Sequence, residues 1–496
     1  MDCGEVSVAA AARAAAGGAV AARRRIARRW LARVTGLALL LLELRPQVAV
    51  AGEGSELASL LRQREQPVAA EAVTAGRAER AVAELLRRPL TADTAVRIAL
   101  LSHGGVRAAI ADSDAARALL LQASLPANPE VEVSLRVPHD AAQPLQADLG
   151  VDLEISSLLL LPLRRSAAQS ELTVARLGAA ADVLAVAYRA RIAYFDAAAS
   201  ALTLGIRRQA LEVAEASYAA RAELFRVGNI PAVDLHLERA ALAAARLARN
   251  DAERSAIEAR ERLSAALGLD TASPVWSLSL DGLTAPAGPG AREAQDAEAR
   301  AVAASLELLA LRSGAAAADG RARLFRASAL LPELKAGFHG ERDGTVWELG
   351  GHFSLSLPLF NQGQGAVMAQ RHRATSLHAQ RSAAEARLRA QVRTALARLS
   401  LGLERVRLLR EGVVPAREQA LRELQLQYNG MQVSLFQLLD ARRALVEAQQ
   451  AQVSALAEAQ QARATLDALL AGLTPSAPAG SAAGAGPGAD SSSDAH

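Results

Sequence analysis

Cysteine is all but missing from this chain: Cys3 is the single one in 496 residues, and it falls in a segment read below as a removable leader. The mature chain then carries no thiol for a disulfide or a thiolate-bound metal, and no lipidation cysteine follows the apolar core of that leader. Lysine is equally scarce. Lys335 is the only one, so the positive charge is arginine, interspersed with 52 acidic residues. A net charge of +4 over this length argues against nucleic-acid binding and reads as solvated Arg/Glu helix faces. Aromatics make up 3% of residues, which favours long packed helices over an aromatic-rich enzyme core. Past the leader no run of about 18 apolar residues predicts a membrane-crossing helix, so strands are left as the route through a bilayer.

What is present begins with that leader. Arg23 to Arg29 are nearly all basic, Val34 to Leu44 form an apolar core interrupted at Glu43, and Ala49-Val50-Ala51 supplies a small-residue cleavage signal. A signal peptide and leader over 1–51 and an exported chain starting near Gly52 follow. The Arg28-Arg29 pair leaves twin-arginine export as a second route beside ordinary secretion. Residues 270–296 are rich in Pro, Gly, Ser and Ala and read as a linker with a short strand at VWSLSL (275–280). The tail, 474–496, has the same bias without the apolar content to fold.

Between these segments the chain is written twice, over 52–269 and 297–473. Each copy holds a helical stretch, a Pro-marked strand pair, a very long helix, a Gly turn and a heptad-bearing return helix. In PEVEVSLRV (129–137) Val131, Val133, Leu135 and Val137 alternate with polar residues, the period of a strand with one apolar face. LQADLGVDLEI (145–155) alternates less perfectly, giving a strand pair over about 129–157. PELKAGFHGE (332–341) and VWELGGHFSLSLPLF (346–360) make the second pair, about 332–360, with Leu161-Pro162-Leu163 and Leu357-Pro358-Leu359 as matching exits. Arg164 to Val227 contains no proline and predicts a helix roughly 95 Å long, too long for an ordinary globule. The counterpart after Phe360 runs to Tyr428, with a kink expected at Pro415. The two long helical hairpins thus span 164–269 and 363–473. In the return helices Ala441, Ala448, Ala455, Ala462 and Leu469 recur every seven residues, as do Glu238, Ala245, Ala252, Ala259 and Ala266. Paired with Leu438, Leu445, Gln452, Ala459 and Leu466, or with Leu235, Leu242, Arg249, Ala256 and Leu263, they form antiparallel coiled-coil seams narrow enough for close helix approach.

Four amphipathic strands cannot close a membrane barrel, and an open edge is costly in lipid, so several chains must share one. The order of elements and the motifs VGNIPAVDLHLERA (227–240), YNGMQVSLFQLLDA (428–441), LPANPEVEVS (125–134) and SLSLPLFNQGQG (354–365) resemble the TolC-type outer-membrane efflux factors over roughly Leu90 to Leu470. The resemblance implies a mainly α fold with a small β part. Long coiled-coil hairpins form an α-barrel, and four strands per chain contribute to a twelve-stranded β-barrel in a homotrimer. It implies a passive conduit in the outer membrane of a Gram-negative bacterium, embedded in lipid and joined to a periplasmic adaptor and an inner-membrane pump. No cofactor, resident metal or catalytic residue is expected, and drugs, metal ions and proteins all stay open as cargo. The alternative is a periplasmic coiled-coil structural or adaptor protein that forms no pore.

The resemblance places gate and adaptor contacts at the two hairpin turns, where Gly228, Asp234, Glu238, Tyr428, Gly430 and Asp440 are the matching candidates. Gln432 and Phe436 stand where some relatives carry charged gate residues. Any carboxylate facing the lumen would form, by threefold repetition, a ring of like charge that attracts cations. The bland reading of each is local: glycines for the turns, acids favoured at helix starts, Tyr428 as packing. Gly228 and Gly430 are 202 residues apart whereas the heptads are 203 apart, which predicts one extra residue in one loop. Histidine offers no metal box. His372 and His378 are wrongly spaced for a helical pair, and His339 and His352 lie in different strands as solvated barrel residues.

Overall fold

The computed structural model describes Ser59, 78–136, 146–269, 276–331, 333–343 and 346–475. The expected leader, 1–51, the tail beyond 475 and the first residue of VWSLSL lie outside the described residues. Along the chain run α1 (Ala78–Leu86), α2 (Ala92–Ser102), α3 (Gly104–Ala123), β1 (Glu130–Arg136), β2 (Gln146–Glu154), α4 (Ile155–Arg226), α5 (Ala232–Leu267), α6 (Ala291–Ala304) and α7 (Leu306–Leu330). Then come β3 (Glu333–Asp343), β4 (Val346–Ser356), α8 (Gln364–Arg407), a π-helical turn (Leu408–Val413), α9 (Val414–Asn429) and α10 (Leu435–Leu470). Two compact units are built from these, one on the strands (125–162 and 325–364) and one on the helices (53–124, 163–324 and 365–496).

The strand unit is one antiparallel sheet in the order β1-β2-β3-β4, so β1 and β4 are its edges. Its register turns the alternation of each strand into two chemically distinct faces. Val131, Val151, Phe338 and Gly351 lie in one row across the sheet, and Val133, Leu149, Gly340 and Leu349 in the next. Apart from Arg342, which lies 5.9 Å from the centre of the Trp347 ring at one end, this face is apolar, yet it is uncovered: Phe338 is 79%, Leu349 86% and Phe353 78% exposed. The opposite face carries Glu132, Asp148, Asp152, His339, Glu341, Glu348 and His352. There Lys335 bonds Glu130 at 3.1 Å, and His352 Nε2 meets Asp152 Oδ1 at 2.9 Å across the intervening Gly337. A Cβ on Gly337 would sit 1.9 Å from that carboxylate oxygen, so only glycine lets the two groups meet over the middle strand.

Two expectations fail here. The Leu161-Pro162-Leu163 exit is no counterpart of Leu357-Pro358-Leu359: α4 has already begun at Ile155 and carries Pro162 inside it, whereas 357–363 is not helical. The strand pair therefore ends at Glu154, because ISSLLLL offers no polar alternation to keep a strand going, and Ser157 Oγ turns back to the Glu154 carbonyl at 2.8 Å. Pro162 costs one helical hydrogen bond and is tolerated.

In the helical unit, the 64 residues of α4 from Leu163 to Arg226 extend about 96 Å. The predicted seams are real: Leu242, Ala252, Ala259 and Leu263 on α5, and Ala448, Ala455, Ala459, Ala462, Leu466 and Leu469 on α10, are all buried. Gly402 of α8 lies against Ala459, where an added Cβ would stand 3.6 Å from its Cα. The largest core gathers α2, α4, α5 and the segment after 275 around Ile98, Val183, Tyr194, Leu263 and Leu267. That segment is held tightly: Tyr194 Oη donates to the Ser279 carbonyl at 2.7 Å, and Arg260 stacks 3.8 Å over the Trp276 ring. VWSLSL supplies only an isolated parallel bridge, Leu278 to Leu90, not a strand. Close by sequence to Tyr194, Asp196 accepts from Gln461 Nε2 at 2.5 Å; burial raises its carboxyl above the usual range, and that bond and Arg262 offset part of the rise.

The kink expected at Pro415 takes another form. The chain keeps right-handed helical angles through Val413 and Val414, and the Val414 N–H bonds back five residues to Leu409. Widening one turn to π geometry just before the proline accommodates its missing donor and its ring crowding. The expectation of no helix apolar enough to cross a membrane also needs correction. A window within 291–330 has that length and apolarity, because alanine and leucine run there with few charges. It is interrupted at Ser305 between α6 and α7, and Ala297, Ala301, Leu306, Leu308 and Ala315 are buried among other helices.

Candidate functional site

The two hairpin turns of the helical unit are built by one hydrogen-bond pattern. At the end of α4, Val227 N–H bonds the Glu223 carbonyl, Gly228 N–H that of Phe225 and Asn229 N–H that of Leu224. At the end of α9, Gly430 bonds Leu426, Met431 bonds Tyr428 and Gln432 bonds Gln427. Each donor and acceptor in the second set lies 203 residues after its counterpart, the offset of the heptads. Both turns are Schellman caps, whose central residue must be left-handed. That residue is Gly228 (φ 77°) in the first and Met431 (φ 55°) in the second. The extra residue expected from the glycine spacing is therefore absent: Gly430, at φ −84°, is a conventional cap beside the left-handed Met431 and is not the equivalent of Gly228.

The return helices restart in register too. Pro231 caps α5 and Ser434 caps α10, again 203 apart. Ser434 and Gln437 form a reciprocal capping box, whereas the equivalent third position of α5 is Asp234, an acid in the first turn where the helix dipole favours it. By this register Glu238 matches Ala441 and Asp440 matches Leu237, so the three acids are not equivalent.

What joins the turns is a residue the sequence reading missed. Arg221 of α4 is 4% exposed; its Nη1 lies 3.8 Å from Asp234 Oδ2 and its Nε 3.7 Å from Glu238 Oε2. On its other side the guanidinium sits 4.8 Å from the centre of the Phe436 ring, so one arginine of the first hairpin touches the second. These pairs are long, and Arg221 Nε has no hydrogen-bond acceptor among the described residues. Glu238, 4% exposed, occupies a seam position that alanine fills in the following heptads. The signal was available: a carboxylate in a buried seam requires a buried cation nearby. Asp234 and Glu238 are thus brought together, Tyr428 is half-buried with its carbonyl in the cap, and Asp440 is exposed one turn further along α10, outside the cluster. Phe436 is half-exposed and packs on the charge of Arg221.

No protein-family model matches the chain. The cobalt-zinc-cadmium resistance protein CzcC of Cupriavidus metallidurans is 23% identical over 390 residues, covering 77% of this chain and 90% of that protein. Among solved structures, CusC, described with its transmembrane channel formation, superposes with a TM-score of 0.64 at 16% identity over 77% of this chain and 92% of its own. The CmeC outer-membrane channel of Campylobacter jejuni gives 0.63 at 16% identity over 77% and 85%. With its helical hairpins, its four-stranded antiparallel sheet and these superpositions, the chain has the fold of the TolC-type outer-membrane efflux channels.

Proposed function

We propose that this chain is the outer-membrane channel of a tripartite efflux or type I secretion system, a passive conduit that performs no chemistry on its cargo. The observation that carries the reading is the sheet. Its two faces are sorted into apolar and polar, the apolar one is uncovered, and both edges are open. Such a sheet is stable in lipid only when copies pair edge to edge, and three copies of four strands make a closed barrel of twelve. On this reading the apolar face meets lipid and the polar face lines the pore. The helical hairpins, two repeats related by a 203-residue shift, form the periplasmic tunnel that meets an adaptor and an inner-membrane pump.

The Arg221 cluster is then the tie that holds the two hairpin turns together, with Asp234 and Glu238 as gate residues. Gly228, Tyr428, Gly430 and Asp440 belong to the surface offered to an adaptor. Divalent metal cations are the proposed cargo class, supported by the resistance function in the name of the sequence relative and by the carboxylates and imidazoles on the polar sheet face. The test is fractionation with conductance: a heat-sensitive oligomer in outer membranes that opens pores in planar bilayers is expected. Recovery as a soluble periplasmic protein would sink the reading.

A further inference from the structure

On the polar face of the sheet, Asp148 of β2 and His339 and Glu341 of β3 bring one ligand atom each to within 4.8 Å of one another. The register explains how. Asp148 is directly opposite Glu341, and His339 lies two residues along β3 on the same face. His339 is itself opposite glycine on both sides, Gly150 on β2 and Gly350 on β4. A Cβ on Gly150 would come 3.6 Å from His339 Nδ1, and one on Gly350 would meet nothing within 4 Å. The imidazole therefore stands in a cleared strip, free to rotate toward the two carboxylates. Asp148 is the least exposed of the three, and its Oδ1 is buried with no hydrogen-bond partner among the described residues. Arg136 reaches only its Oδ2, at 3.9 Å, from a side chain 70% exposed. A buried acceptor left unsatisfied beside a histidine and a second acid indicates a missing positive partner.

We propose that Asp148, His339 and Glu341 bind one divalent first-row cation of the zinc or cobalt type. The donor set is one imidazole and two carboxylates, which balances a dication. Nitrogen and oxygen donors at bond lengths of about 2.1 Å around a tetrahedral ion stand about 3.4 Å apart, so the cluster must close by roughly 1.4 Å. Side-chain rotation of the exposed His339 and Glu341 supplies that movement. Imidazole disfavours magnesium and calcium, which take oxygen ligands, and the lack of thiolate or thioether disfavours copper(I). Exposure of two of the three ligands leaves positions for water, so the ion exchanges. That suits a wall past which cations travel, a placement that rests on the channel reading above.

The test uses the full chain purified in detergent and titrated with Co²⁺, whose visible d–d absorption reports nitrogen and oxygen ligation. The expected result is one Co²⁺ per chain, displaced by Zn²⁺ and untouched by excess Mg²⁺. Affinity should fall about tenfold or more in His339→Gln and in Asp148→Asn, while exposed His372→Gln on α8 leaves it unchanged. Oligomer state and circular dichroism must match wild type in each variant; if one misfolds, the other carries the comparison. No Co²⁺ bound by wild type, wild-type affinity in a correctly folded His339→Gln or Asp148→Asn variant, or displacement by Mg²⁺ would each overturn the site. Planar-bilayer conductance separates the two proposals. A conducting channel without cobalt loses the site alone, and cobalt bound by a chain that never conducts keeps the site while the channel reading falls.

Discussion

At the level of single residues, Met431 and Arg221 do the most. Met431 holds a left-handed backbone with its side chain 94% exposed, a conformation that costs a non-glycine residue about 1–2 kcal/mol. Gly228 takes the equivalent conformation without that cost. Met431→Gly should therefore raise unfolding stability by about 1 kcal/mol, Gly228→Ala should lower it by about as much, and Gly430→Ala should be nearly neutral; thermal melts of the three variants check the order. The Arg221 pair with Glu238 calls for a different measurement. Two charges buried at 3.7 Å, with imperfect hydrogen bonding, repay little of their desolvation, but removing one strands the other. Arg221→Met or Glu238→Ala alone should cost about 3 kcal/mol, whereas the double variant, which restores the alanine seam, should recover most of it. If the pair also ties the hairpin turns, the double variant, though stable, should leak ions in planar bilayers. A stable variant with wild-type leak would confine Arg221 and Glu238 to structure.

The elements were legible where periodicity alone decides them. Alternation in PEVEVSLRV and the seven-residue alanine spacing both survive as β1 and as buried seams. Boundaries set by a single residue were not legible: Pro162 reads as a helix breaker yet lies inside α4, and Pro415 follows a π turn that no periodicity encodes. Equally hidden were contacts between residues far apart in sequence. Arg221 meets Phe436, and Asp148 meets His339, only through a packing and a register that one strand or helix does not contain. The seam itself predicts how tightly the helices approach. Ala459 is fully buried with Gly402 opposite it, so Ala459→Leu would have to push α8 and α10 apart there. A loss of about 1–3 kcal/mol is expected, against a near-neutral or slightly stabilising Gly402→Ala; denaturant midpoints distinguish the two.

For the whole molecule, the decisive property on the channel reading is which side of the sheet would meet lipid. Glu132 and Val133 are neighbours on β1 that point to opposite faces, so a pair of arginine substitutions probes both surfaces with almost the same sequence change. Val133→Arg puts a charge on the uncovered apolar face. At the depth of a bilayer it should cost about 2–4 kcal/mol per chain, and since every chain of the assembly carries it, the heat-sensitive oligomer should fail to insert or to survive detergent extraction. Glu132→Arg reverses a charge on the polar face, at an exposed position. Assembly should persist, and the change should appear instead as a shift of reversal potential toward anions, because a pore lined by this face would lose one carboxylate and gain one cation from each chain. Equal tolerance of both substitutions would mean that neither face touches lipid, and the sheet would then have to bury its apolar side against another protein.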